Sequence, residues 1–167
     1  MLEIFASDYI AIFSDEIHNL TNVFVYESDS PEEIIKKRAE RVAKVCEILS
    51  HKTTLDELKE QLPVFAAIIS ETIKVTPTQL RRFYTYVKSI DIANKDTKTD
   101  TITDSYKLKF LLPKLAGSSE KESLKDLYKI FGITIPKIQT VKELRLFVEF
   151  FEAILDYHST IDPKKKD

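Results

Sequence analysis

Residues 76–90 read "TPTQLRRFYTYVKSI". Thr76 and Gln79 stand three apart, the spacing of a capping box. The hydroxyl accepts from a backbone N–H inside the helix, and the amide reaches back to the cap. Pro77 suits the first helical position, where its missing N–H is no loss. Leu80, Phe83, Tyr84, Val87 and Ile90 then recur at three- and four-residue steps, which places them on one helical face. Capping and core packing account for all of these residues. They do not account for the cations. Arg81, Thr85 and Lys88 share one flank, and Arg82 points away from the apolar face. No acid occurs between Thr76 and Ser89, so no pairing within the helix is expected to neutralise them. Cations near a helix start also oppose the dipole, at about 0.3–1 kcal/mol each when exposed. A helix that carries this burden is suited to holding an anion.

Similar starts recur along the chain. Ser30-Pro31 with Glu33, Thr54 with Glu57, Ser119 with Glu122 and Thr140 with Glu143 all have capping-box spacing. Apolar residues follow each start at the helical period. They are Ile35, Val42, Val45 and Leu49; Leu55, Leu58, Leu62, Phe65, Ile69 and Ile73; Leu124, Leu127, Tyr128 and Phe131; then Leu144, Phe147, Val148, Phe151, Ile154, Leu155 and His158. Gly132 reads as a left-handed helix stop. A further helix is expected over roughly residues 3–20, without a clear cap. Pro63 and Pro113 should each kink or end a helix. "NVFVYE" (22–27) and "GITIP" (132–136) alternate like strands and read as extended connectors. Residues 91–104 are polar and aperiodic and read as a mobile loop. The whole is an all-α, single-domain bundle of five to six helices. It divides into an acidic N-terminal arm or helix over 1–29, a helical domain over 30–158 and a disordered tail over 159–167.

Bulk properties narrow the function. The 167 residues suffice for one core without disulfide or metal staples. Two glycines argue against many tight hairpins. The single cysteine, Cys46, excludes a disulfide framework and suits a reducing compartment. There is no apolar run of membrane-spanning length and no basic start of a signal peptide, so the expected location is the cytoplasm. Net charge is −2, but its distribution is uneven. Residues 1–29 hold six acids and no Lys or Arg, which leaves 21 acids against 25 cations, a net +4, in the remainder. The acidic arm is expected to cap a hydrophobic face or to mediate self-association.

A second acid-free stretch, "SYKLKFLLPKLAGSS" (105–119), sets Lys107, Lys109 and Lys114 among leucines. Together with residues 76–90 it makes a candidate basic surface, with Tyr84, Tyr86 and Tyr106 nearby for stacking. A phosphate backbone is the usual partner of such a patch.

Three segments carry a family resemblance. "VTPTQLRRFYTYVKSID" (75–91), "KLKFLLPKLAG" (107–117) and "ELRLFVEFFEAILDYH" (143–158) occur in order. Over residues 64–158 the chain resembles the small subunit, subunit two, of the type III-A CRISPR–Cas effector, the Csm complex. The resemblance implies a small helical protein without nuclease activity. Several copies would line up along the guide RNA–target RNA duplex beside the other Csm subunits, in antiviral defence. Arg81 and Lys114 match basic positions of the family's motifs, and Arg82 is the next basic residue. The family's middle segment commonly continues into Tyr and Arg, whereas Gly117-Ser118-Ser119 stands here. Lys121 could replace that contact.

Enzymatic readings fare poorly. His18, His51 and His158 are far apart, no His follows an Arg at ribonuclease spacing, and there is no phosphate-binding loop or nucleophile elbow. Glu149, Glu152 and Asp156 lack the accompanying Glu-x-x-His pairs of a carboxylate-bridged metal site and read as a solvated face. The expectation is a non-catalytic, RNA-binding structural subunit with no cofactor and no metal. Its RNA-binding residues would be Arg81, Arg82, Lys88, Lys107, Lys109 and Lys114. Its partners would be guide and target RNA, the other Csm subunits and a second copy as a dimer. Two other readings stay open: a helix-turn-helix DNA-binding protein with residues 76–90 as recognition helix, and a helical adaptor that binds no nucleic acid.

Overall fold

Two prolines decide where helices break. The computed structural model describes residues 2–96 and 98–161. The helix expected from Thr54 is only a 3-10 turn, Asp56–Leu58, and a new helix, Leu62–Ser70, starts with Pro63 in its first turn. Tyr106–Lys109 and Leu111–Ala116 are likewise separate helices. Pro113 lies in the first turn of the second, where its missing N–H leaves no helical bond unmade.

In chain order the helices are α1 (Asp8–Ala11), α2 (Ser14–Thr21), α3 (Pro31–Ser50), α4 (Leu62–Ser70), α5 (Pro77–Ala93), α6 (Tyr106–Lys109), α7 (Leu111–Ala116), α8 (Lys125–Thr134) and α9 (Val141–Ile161). The fold is all-α. Among the described residues there are only two isolated bridges, Glu3 with Tyr26 and Thr101 with Thr140. The helical segments exceed the expected five to six because proline breaks and a split N-terminal region multiply them. Of the nine among the described residues, six run to eight residues or more.

Several local expectations are corrected. The 3–20 region forms two helices, the first capped by the Ser7 hydroxyl. Asn22 closes the second in the left-handed region, φ 52°, which Asn tolerates. "GITIP" is helical: it ends α8 and enters the 3-10 turn Ile135–Lys137. Gly132 therefore stops nothing, and no glycine has positive φ. Leu124, rather than Ser119, precedes α8. Ile35 and Tyr128 are 55% and 42% exposed, off the core faces assigned to them. The stretch 91–104 begins as the end of α5 and is then organised by buried Asn94, which accepts from the Thr103 N–H at 2.7 Å and donates to the Ile90 carbonyl at 2.9 Å. Residues 159–161 continue α9; the rest of the expected tail, 162–167, lies outside the described residues.

The core centres on α9, which packs on α4 and α5, while α8 packs on α3. Residues Val64–Ser70 of α4 are all buried. Phe131 meets Phe147 and Phe151 at ring separations of 4.9 and 5.0 Å. Buried Glu143 organises the start of α9. It accepts from the N–H groups of Leu55, at 3.0 Å, and Gln139, at 3.2 Å, and its own N–H donates to the Thr140 hydroxyl.

The N-terminal region is fastened by charge as well as by burial. Ile10, Ile17 and Val25 have no exposed surface. Arg41 of α3 is equally buried. Its Nε and Nη2 donate to the Val23 carbonyl at 3.0 and 2.9 Å, Nη2 also pairs with Glu3, and Nη1 lies 3.7 Å from Glu71. Glu71 accepts from the Ala6 N–H at 2.9 Å. Burial pushes the Glu71 carboxyl above the usual range, against the pull of Arg38 and Arg41.

Candidate nucleic-acid interface

The cap of α5 forms in full. The Gln79 N–H donates to the Thr76 hydroxyl at 3.2 Å, and the Thr76 N–H donates to Gln79 Oε1 at 2.9 Å. Leu80, Val87 and Ile90 are buried against the core, which turns Arg81, Arg82 and Thr85 outward. Among the described residues neither arginine has an ion-pair partner. The Thr85 hydroxyl donates to the Arg81 carbonyl and leaves the guanidinium alone.

Tyr86 ties this helix to the second basic stretch. Its hydroxyl donates to the Lys107 carbonyl at 2.7 Å, and the Lys114 ammonium lies 4.8 Å from its ring centroid. That separation suits a cation–π contact. Arg82 stands one turn before Tyr86 on the same side of α5. The two acid-free stretches therefore meet as one surface, with Arg82, Tyr86, Lys107 and Lys114 in sequence across it. Lys107 also pairs with Asp104 at 3.4 Å. Lys109 is exposed on α6.

Lys88 belongs elsewhere. It pairs with Asp91 at 3.3 Å, which corrects the expectation that no pairing within α5 would occur. Asp91 holds the Lys88 ammonium's pKa above its ordinary value. Arg145 of α9 approaches the same carboxylate at 4.0 Å, and its Nη2 donates to the Lys95 carbonyl at 3.5 Å. Lys88, Lys95 and Arg145 thus border one cleft, and Lys98 and Lys142 join Lys95 and Arg145 around the next. Sequence reasoning missed this second basic group. Its only local signal was the i,i+3 spacing of Lys88 and Asp91; Arg145 arrives from a helix more than fifty residues on.

Of the tyrosines expected for stacking, Tyr84 turns inward and meets Phe151 edge-on at 5.6 Å. Tyr86 and Tyr106 remain on the surface side, and Tyr106 meets Phe110 edge-on at 6.2 Å. Among the described residues no cluster of three or more His, Cys, Asp or Glu could hold a metal ion, and no helix is long and apolar enough to cross a membrane. Glu149, Glu152 and Asp156 lie on the exposed side of α9.

Comparison with known proteins bears on the family of the chain. No curated protein and no solved structure matches the chain. The family model for Csm2 Type III-A matches residues 52–164, a span that contains α4–α9, both basic groups and all three segments of the motif resemblance. The chain belongs to the Csm2 Type III-A family, and is a structural subunit of the type III-A CRISPR–Cas Csm complex.

Proposed function

We propose that within the Csm complex this chain holds the backbone of guide and target RNA on the surface formed by α5, α6 and α7. Arg81, Arg82, Lys109 and Lys114 supply most of the positive charge, and Lys88 and Lys107 contribute less because Asp91 and Asp104 already engage them. The observation that carries this reading is the exposed state of Arg81 and Arg82, neither with an ion-pair partner among the described residues, on the helix that Tyr86 ties to Lys114. Charge of this kind recognises phosphate and duplex shape rather than base identity. Few cations per copy make the isolated chain a weak binder, and alignment of several copies along one RNA would add avidity.

The buried state of α4 counts against the helix-turn-helix reading. The first helix of that motif lies across the DNA backbone, whereas Val64–Ser70 are enclosed by the core. Fluorescence anisotropy with RNA and duplex DNA at two salt concentrations tests the proposal. RNA binding that weakens steeply with salt, tolerates sequence change and is lost in Arg81→Ala/Arg82→Ala is the expected result. Equal binding by that variant, or tighter binding to duplex DNA, would overturn it.

A further inference from the structure

The α6–α7 segment spends its leucines on the core and leaves two aromatics outside. Leu108, Leu111 and Leu115 are buried, while Tyr106 and Phe110 are 57% and 54% exposed. Phe110 joins the two helices: its N–H donates to the Lys107 carbonyl, and it precedes Leu111 directly. With Tyr86, Pro113 and Lys114 it lines an open cleft of about 350 Å³. That is near the lower end of small-ligand sites, about 300–1,000 Å³, so the cleft suits one flat ring system. The Tyr86 ring is held on both sides, by its hydroxyl bond to α6 and by the Lys114 ammonium from α7.

We propose that this cleft is a stacking site for a single unpaired nucleobase of RNA, with Phe110 as the stacking ring and Lys107, Lys109 and Lys114 as partners for the adjoining phosphates. The inference rests on the reading that this face binds RNA, and adds to it a requirement for an unstacked base. Fixed rings with exposed faces stack on any base. A base inside an A-form duplex is covered by its neighbours and cannot offer its face. The surrounding charge favours nucleic acid over a protein partner: residues 105–117 contain three lysines and no acid, whereas the centres of protein interfaces are depleted of lysine.

The test uses the full chain and two probes, a uridine-rich single strand carrying one 2-aminopurine and an RNA duplex without unpaired bases. Phe110→Ala and Phe110→Leu are compared with wild type and with Phe110→Tyr, and circular dichroism confirms that each is folded. The expected result is about a 5-fold or greater loss of single-strand affinity for both Ala and Leu. The salt slope and duplex affinity should be unchanged. Quenching of 2-aminopurine on binding should be lost in those two variants and restored in Phe110→Tyr. Wild-type single-strand affinity in Phe110→Leu overturns the stacking site and leaves the RNA reading standing. An equal loss on both probes overturns it too, as does a variant that binds RNA normally but no longer co-purifies with the other Csm subunits. Absence of RNA contact by the wild-type chain, both alone and within the assembled Csm complex, would overturn both readings.

Discussion

Arg41 and Arg81 carry the same guanidinium on well-formed helices, yet one is sealed in the protein and the other stands in solvent. Arg41 has no exposed surface and meets Glu3, Glu71 and the Val23 carbonyl. Arg81 and its neighbour Arg82 are exposed and have no ion-pair partner among the described residues. A buried cation is tolerated only when its donors are met by acceptors. An exposed one needs no partner and remains available to a ligand. The contrast separates two tasks: charge on the N-terminal side fastens the chain to itself, and charge on the α5–α7 side faces outward.

The sharpest way to break the contrast is Arg41→Ala. It leaves the Val23 carbonyl without its donors and removes one of the two guanidinium groups facing buried Glu71, and a loss of about 3–5 kcal/mol is expected in urea unfolding. Arg81→Ala/Arg82→Ala should instead leave stability within about 0.5 kcal/mol. The effect of that variant should appear in RNA binding, where the salt slope falls by about one for each phosphate contact removed. A large stability loss in this variant, or a negligible one in Arg41→Ala, would erase the distinction.

Thr76→Ala probes the scaffold beneath the exposed arginines. Loss of the α5 cap should cost about 1 kcal/mol, measured by the same unfolding curves, without altering the salt slope.

The smallest expected effect concerns pH. Lys37 beside Asp29 holds its carboxyl below the ordinary value of 3.8. The folded state therefore gains from the ionised form above that value and loses the gain as pH falls through the lower, folded one. The urea midpoints of wild type and Asp29→Asn should differ slightly at neutral pH and converge below about pH 4. Glu71 works in the opposite direction. Its raised value makes its contribution fullest in acid, and that contribution is lost as pH rises through the folded value.

Local chemistry was legible in several places where the decisive partners lie within a few residues. The Thr76–Gln79 cap, the apolar side of α9 and the proline breaks at 63 and 113 all follow from spacing. The Lys88–Asp91 pair lies within the same range, with its acid just beyond the acid-free stretch of residues 76–89. "GITIP" departs from its expected extended form because a short alternating apolar run fits a strand or a buried helix end equally well. The burial of Ile135 in the 3-10 turn and of Thr134 in α8 chose the helix.

By itself, then, the sequence determined an all-α chain, a capped basic helix at 76–90 and the motif order that marks the family. Periodicity and capping are properties of neighbouring residues, and they survive without a three-dimensional context. Tertiary structure alone decided the charges whose partners lie far apart in the chain. Arg41 meets Glu3 across 38 positions, Arg145 reaches Asp91 across 54, and Tyr86 bridges to Lys107 across 21. Burial and Coulombic attraction act through space, so whether such a cation is sealed or reached by a distant carboxylate is settled when the helices pack together.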